Sequence, residues 1–410
     1  GEWWSSNVVD VETSALATGG APNTSNGYTI NGHLGHLYNC SSHDMFTLIV
    51  QPGKNYLLRI INSALNTQFF FKIAHHIFTV VAADASYTNP YVTDVVVLAP
   101  GQTVDALLFT NNSIGRYYMA ATPYASAVGV PFDNSTTTGL LVYDYEGSTQ
   151  SSALPIMPPL PPNGDTATAN KFYTNMTGLL TGPFWSPVPL VVDEHMFIAV
   201  GIGLTACGLP GNRTCNGIFG QRLAATMNGA SFQLPNTVSI LQAFFRNVTG
   251  VYTDDFPDVP PVIFDFTNSS NSFNETLLLT TKSTKVKKVR YNSTIQIVIQ
   301  DTALVGTENH PIHIHGFNFY VLAQGFGNYD PLIDVDTFNF FDPQVRNTIA
   351  VPVGGWAVIR FTANNPGVWF IHCHLDVHLG WGLASGFAVE NGHTPESTLP
   401  PPPPDFPQCH

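Results

Sequence analysis

His310-Pro-Ile-His313-Ile-His315-Gly316 and His372-Cys373-His374-Leu-Asp-Val-His378 are the stretches on which the reading of this chain turns. Side chains on a β-strand alternate between faces, so His313 and His315 share one face and Ile314 takes the other. The same parity puts His372 and His374 together and Cys373 on the opposite side. His310 is also of opposite parity to His313 and His315. If both segments are strands, the His-x-His pairs converge on one metal cluster while Cys373 points to a separate metal.

That leaves His310, Cys373 and His378 as two imidazoles and one thiolate, the ligand combination of blue-copper electron-transfer sites. Five residues past His378 stands Leu383, which cannot ligate. Such a copper is effectively three-coordinate with a high reduction potential, which a Met there would lower. The tripeptide joins two sites: Cys373 would hold the electron-accepting copper, and its neighbours would hold the metals that reduce a second substrate. A lone His or buried Cys is usually inert packing, and zinc also takes His and Cys. Seven ligand-type residues in these two spacings favour copper.

Outward from these motifs, the chain of 410 residues carries 34 Gly and 31 Pro that break β-branched and aromatic runs. It reads as all-β and large enough for two sandwich domains. Phe46-Thr-Leu-Ile-Val50 and Tyr56-Leu-Leu-Arg-Ile-Ile61 belong to a first module, and Thr294-Ile-Gln-Ile-Val-Ile299 and Trp356-Ala-Val-Ile-Arg-Phe361 to a second. Between them, Leu154-Pro-Ile-Met-Pro-Pro-Leu-Pro-Pro162 has the composition of an extended linker, or of an ordered surface loop.

A net charge of -13 with only 15 Lys plus Arg argues against nucleic acid as a partner. Apolar runs are too short to span a bilayer, so no membrane anchor is expected. Ten Asn-x-Ser/Thr acceptors between Asn23 and Asn292 point to secretion. Of the five cysteines, Cys207 and Cys215 are close enough to close a small disulfide loop, which leaves Cys40 and Cys409 beside Cys373.

The two histidine motifs resemble the C-terminal copper motifs of multicopper oxidases. The text around them, Gly325-Phe-Gly-Asn-Tyr-Asp330, Arg346-Asn-Thr348, Gly354-Gly-Trp356 and Asn365-Pro-Gly-Val-Trp369, resembles plant laccases, and the likeness runs from Gly1-Glu-Trp-Trp4 to the C-terminus. It implies tandem cupredoxin-like Greek-key β-sandwich domains. On that frame, residues 1–5 are a remnant of a preceding cupredoxin domain and 6–152 form the second domain. Residues 153–168 are the linker, and 169–410 form the third domain, which carries the copper motifs.

The resemblance assigns His310, Cys373 and His378 to the type 1 copper, with Leu383 axial and non-ligating. It assigns His313 to the type 2 copper and His315, His372 and His374 to the type 3 pair, with His378 as the point where electrons enter. Four coppers are implied for a complete protein. The family takes its remaining trinuclear ligands from two further His-x-His pairs in an upstream domain. His33, His36, His43, His75, His76, His195, His393 and His410 form no such pair. The expectation is therefore that an N-terminal cupredoxin domain is missing from this sequence, and the family pairs cysteines like Cys40 and Cys409 with it.

The implied activity is that of a laccase, which oxidises small phenols, lignin precursors among them, and reduces O2 to water. The expected setting is a monomer in the apoplast and cell wall. Ascorbate oxidase is the alternative within the family, and the Leu at 383 contradicts its usual axial Met. From another class, a blue-copper electron-transfer fragment without oxidase activity is the competing reading. Asp94 falls where laccases often carry a pocket-facing acid that accepts a phenolic proton; the plain alternative is a turn cap before Val95. Asp376 lies between two ligands, where many plant laccases have Glu, as a candidate to orient imidazoles or pass protons. Phe184, Trp185, Phe340 and Phe341 offer an apolar wall for a phenol ring, or ordinary core.

Overall fold

The computed structural model describes residues 1–39, 45–144, 154–207, 215–272 and 274–406. Cys40 and Cys409 lie outside them. Two β-sandwiches follow one another along the chain, as the strand alternation predicts. In the first, a five-stranded sheet ordered Thr47–Val50, Thr137–Tyr143, Arg116–Tyr124, Gln68–Ile73, Val96–Leu98 faces a four-stranded one. That second sheet is ordered Asn55–Ile61, Thr103–Phe109, Phe78–Ala83, Ser86–Thr93. Along the edge strand Asn55–Ile61, Tyr56, Leu58 and Ile60 pack on the core while Leu57 and Ile61 face out, the period-two pattern of a half-covered sheet.

The second sandwich pairs an eight-stranded sheet with a five-stranded one that carries the histidine motifs. Its strand Thr294–Asp301 is buried at every position. Both of its faces are covered, so Gln296, Gln300 and Asp301 are enclosed along with the isoleucines. Ile295, Ile297 and Ile299 point into the inter-sheet core, and Val298 joins Val188, Leu322, Trp356 and Val358 in a smaller cluster.

Two helices pack away from the domain boundaries expected for them. Thr166–Thr174 straddles the end of the segment assigned to the linker and the start of that assigned to the third domain, yet its Ala169, Phe172 and Tyr173, with Met176, are buried in the core of the first sandwich. The aromatic face of this helix has its complement there, so packing unit and linker composition part company. Val8–Thr18 lies in the segment assigned to the second domain but packs against the helix Asp376–Trp381 and sends Leu16 to the second sandwich. Asn7 caps it, its side chain accepting from Val9 N, and Gly19 ends it in the left-handed conformation at φ 79°. The Cys207–Cys215 disulfide forms as its spacing suggests. It lies beside that C-terminus, where Asn216 N donates to Thr18 O at 2.9 Å. Among the described residues no helix is long and apolar enough to cross a membrane.

Candidate metal centre

The strand His310–Ile314 runs between Thr348–Val351 and Gly367–Cys373, antiparallel to both. Its register sets His313 opposite His372 and Ile312 opposite Cys373, so the parity read from the sequence becomes two distinct clusters on opposite faces. His378 follows on the short helix Asp376–Trp381. The first sandwich starts that helix: Leu65 O accepts from Asp376 N at 3.0 Å and Asn66 Oδ1 accepts from Val377 N at 2.9 Å. Gly382, at φ 109°, stops it, and its N–H donates to His378 O and Leu379 O. Any Cβ there would lie 2.4 Å from Ser231 Oγ. The turn returns at once to the site, where Leu383 N donates to His378 O and Cys373 N to Leu383 O.

On one face the three donors meet in a fully buried cluster. Cys373 Sγ lies 3.8 Å from His310 Nδ1 and 3.7 Å from His378 Nδ1. All three ligand atoms are within 4.8 Å of one another. With metal–sulfur and metal–nitrogen bonds of about 2.3 and 2.05 Å, a trigonal centre separates S from N by about 3.8 Å and a tetrahedral one by about 3.6 Å. The observed spacing fits a three-coordinate ion held by S and two N. Leu383, with no exposed surface, packs in the same core as Cys373 and offers no donor. The chemistry of this set fits copper of the blue type.

Each imidazole of this three-donor set presents its other nitrogen to an acid. His310 Nε2 lies 3.4 Å from Asp301 Oδ1, and His378 Nε2 lies 3.3 Å from Glu308 Oε2. Such partners fix the ring orientation and leave Nδ1 as the ligating atom. Burial alone would lower the pKa of His310, but Asp301 and Cys373 overcome it and lift the pKa to about 10. Burial holds His378 well below the ordinary histidine value and raises the Cys373 thiol. A bound cation reverses that last effect by taking the thiolate directly. Trp381 stacks on the His378 ring, with centroids 5.5 Å apart.

On the other face four imidazoles cluster. Ring centroids are 4.8 Å apart for His313 and His315, 5.2 Å for His315 and His372, and 5.5 Å for His372 and His374. Burial lowers the pKa of His313 to about 4 and that of His372 to about 3, so both are neutral and carry a free lone pair at physiological pH. His372 Nδ1 is 2.9 Å from Cys373 O and His313 Nδ1 is 2.8 Å from Asn347 O, so these nitrogens donate and Nε2 is left free. The Nε2 atoms of His315 and His372 face each other at 3.1 Å, close enough for a hydrogen bond from the His315 Nε2–H tautomer or for both lone pairs to turn toward a bound cation. His313 and His315 line an open depression of about 420 Å³ with Asn347 and Trp369. The donor set fits metal ions bound at that depression.

Gly101 of the first sandwich closes over His374. At φ 78°, it lies so near that a Cβ would come 2.3 Å from His374 Cδ2. Only glycine allows that approach.

Asp94 is not brought to this site. It pairs with Lys72 at 2.6 Å, and its side chain is 64% exposed. The strand that carries Lys72 touches the copper segment at Gln68, whose Nε2 donates to Asn309 O. Four residues at about 3.3 Å each put Lys72 about 13 Å away. The acid beside His378 is Glu308, whose carboxyl burial raises its pKa to about 7. The sequence carried a signal for it, an acid two residues before the ligand His310. Asp376 faces the Glu12 carboxyl. Phe184 and Trp185 line a cavity of about 540 Å³ that also includes Gly316, Phe317 and Tyr320, on the side of His315 and not of His378. Phe340 lies under the Arg360 guanidinium at 5.0 Å, and Phe341 is 73% exposed.

A sandwich pair that holds one three-donor site and one multi-imidazole site, joined by Cys373 in the first and its neighbours His372 and His374 in the second, is the framework of a copper oxidase. The family described as Multicopper oxidase matches residues 255–393 and again residues 1–146. Laccase-7 of Arabidopsis thaliana is 57% identical over 411 residues, covering 100% of this chain and 71% of that protein. Laccase-24 of Oryza sativa subsp. japonica is 52% identical over 419 residues, covering 100% and 72%. Among solved structures, the laccase from Botrytis aclada has a TM-score of 0.66 at 22% identity, covering 94% of this chain and 62% of that one. Fet3p, a multicopper oxidase that functions in iron import, has a TM-score of 0.67 at 21% identity, covering 95% and 64%. These two share the fold. The chain belongs to the multicopper oxidase family. Within it, the sequence is of the plant laccase type.

Proposed function

We propose that this chain is the type 1 copper-bearing part of a laccase that oxidises small phenols, lignin precursors among them, and passes the electrons to O2. The observation that carries the reading is the position of Cys373, whose thiolate lies with His310 and His378 while its neighbours His372 and His374 lie with His313 and His315. Bound copper would supply one-electron acceptance at the first set and dioxygen reduction at the second. His310, Cys373 and His378 would hold type 1 copper. His313 would hold type 2, and His315, His372 and His374 the type 3 pair. Four phenols each release one electron and one proton, and one O2 takes up four of each to give two waters.

Glu308 is the residue of this chain placed to take the phenolic proton. Its carboxyl is 3.3 Å from His378 Nε2 and 25% exposed, so it spans solvent and imidazole at the point where electrons would enter. Asp376, between His374 and His378, is the acid nearest in sequence to the oxygen side, and its contact with Glu12 supports a proton-holding role there. The nine described Asn-x-Ser/Thr asparagines are all exposed, and Asn212 lies outside the described residues. With the Cys207–Cys215 disulfide, this supports a secreted glycoprotein of the cell wall.

The test is the copper-to-protein ratio of the purified full-length protein, taken with its intact mass. About four coppers per protein, as type 1, 2 and 3 sites together require, supports the oxidase. About one would assign a blue-copper electron-transfer protein instead, and none would sink the copper reading.

A further inference from the structure

Asp84 is a charged residue with no use in the oxidase chemistry, yet it is among the most enclosed groups in the molecule. It sits in the tight turn after Phe78–Ala83, at φ 46°, with its side chain only 1% exposed. Its carboxylate reaches across to the second sandwich, 262 residues along the chain. Asp84 Oδ2 accepts from Arg346 Nε at 3.0 Å and Oδ1 from Arg346 Nη2 at 3.3 Å. Oδ2 also accepts from the backbone N–H groups of Asn347 at 3.4 Å and Thr348 at 3.3 Å. A second group of the first sandwich holds the end of the same segment: the fully buried Gln102 donates from Nε2 to Thr348 O at 3.0 Å.

The far side of that segment holds His313. Its Nδ1 lies 2.8 Å from Asn347 O and 3.0 Å from Thr348 Oγ1. Thr348 Oγ1 donates its own hydrogen to Asn347 Oδ1 at 3.0 Å, so toward the imidazole it can only accept. Both groups facing Nδ1 are therefore acceptors. The proton must sit on Nδ1, and Nε2 is left as a lone pair aimed away from the segment.

We infer that Asp84 and Gln102 of the copper-free first sandwich are positioning residues for His313: by pinning Arg346, Asn347 and Thr348 they fix the tautomer and direction of the imidazole that serves the type 2 copper. The inference rests on the assignment of His313 made above. An ion pair this deep adds little net stability over apolar packing, whereas two hydrogen-bonding anchors from the other sandwich set the angle of a short segment. The charges of Asp84 and Arg346 cancel, so the effect on the metal side is geometric and stops at the face that His313 occupies.

The experiment uses the full-length copper protein with Asp84→Asn, and with Gln102→Met as an uncharged variant of similar shape in case the first fails to fold. Type 2 copper affinity is read by chelator competition and its environment by the type 2 electron paramagnetic resonance spectrum. The blue band and the type 1 spectrum serve as the internal reference. Loss of an outer hydrogen-bond partner weakens metal binding on the order of 10–100-fold, and that loss is expected at type 2 with type 1 unchanged. Type 2 affinity and spectrum equal to the parent's in a folded variant would overturn the inference, as would equal loss of type 1 and type 2. The parent's own type 2 signal separates the two readings. Its absence removes the assignment of His313 as well, and its presence beside unaffected variants removes only the role of Asp84 and Gln102.

Discussion

Gly101→Ala puts a single methyl against a metal-site imidazole from a domain that holds no copper ligand. The new Cβ would stand 2.3 Å from His374 Cδ2 and 2.6 Å from Nε2. Carbon contacts settle at about 3.5–4.0 Å, so the ring must retreat by more than about 1 Å. Metal–ligand distances tolerate about 0.2 Å, so His374 cannot keep its place in the cluster. The left-handed backbone at φ 78° adds about 1–2 kcal/mol of strain for a residue with a Cβ, which a domain with typical stability survives. The donor set of His310, Cys373 and His378 is on the opposite face and should be untouched. In the full-length enzyme, anaerobic phenol should still bleach the blue band at the parent rate, while recolouring in air slows at least about 10-fold as type 3 copper is lost. Stopped-flow absorbance reads both halves. Recolouring at the parent rate with full copper occupancy would refute the contact and the placement of His374 on the oxygen side.

Three further outcomes follow from other groups. Cys373→Ser should abolish the blue colour and phenol oxidation together, since the thiolate serves both, and absorbance with an oxygen electrode checks it; survival of either defeats the assignment. Leu383→Met keeps volume in the core at a cost under about 1.5 kcal/mol and adds a weak axial donor, so the type 1 potential measured by redox titration should fall. The Glu12 carboxyl is raised from its ordinary value to about 8 by its contact with the Asp376 carboxyl and by burial. An acid with a raised folded pKa stabilises the fold fully below its unfolded value and loses that contribution as pH rises through about 8. Glu12→Gln should therefore flatten the fall in thermal midpoint between about pH 5 and pH 9 and raise it at the alkaline end. A variant that parallels the parent across that range would show that the two acids share no proton.

The strand parity of His310, His313, His315, His372, Cys373 and His374 was legible because a period of two is a local property, and the register of His313 against His372 carries it intact into three dimensions. The acids were not legible in the same way. Glu308 stands two residues before the ligand His310, but its approach to His378 joins a loop to the helix Asp376–Trp381 seventy residues on, and the spacing to His310 does not encode that partner. Asp94 looked better placed in sequence, but Lys72 on the neighbouring strand claims it at the surface. The Pro-rich stretch has the composition of a linker, yet Phe172 and Tyr173 beyond it find their complementary packing in the first sandwich. Packing complementarity of that kind depends on distant partners and leaves no periodic trace.

The division of labour between the sandwiches follows from the same difference. Every proposed copper ligand in this chain lies in two short segments of the second sandwich, where strand alternation separates the two metal faces and the helix Asp376–Trp381 brings His378 to the side of Cys373. Alternation fixes a face but not a ring angle, and a blue-copper or trinuclear site needs ligand atoms held to a few tenths of an ångström. The first sandwich supplies that second constraint at four points: Asn66 on the helix of His378, Gln68 on the segment before His310, Gly101 over His374, and Asp84 with Gln102 behind His313. Each contact joins residues hundreds of positions apart, so each can be tested separately by its effect on one spectroscopic site. A sandwich that held the ligands only through its own strands would make all four substitutions silent in the copper spectra, and the copper-free domain would then be a spacer.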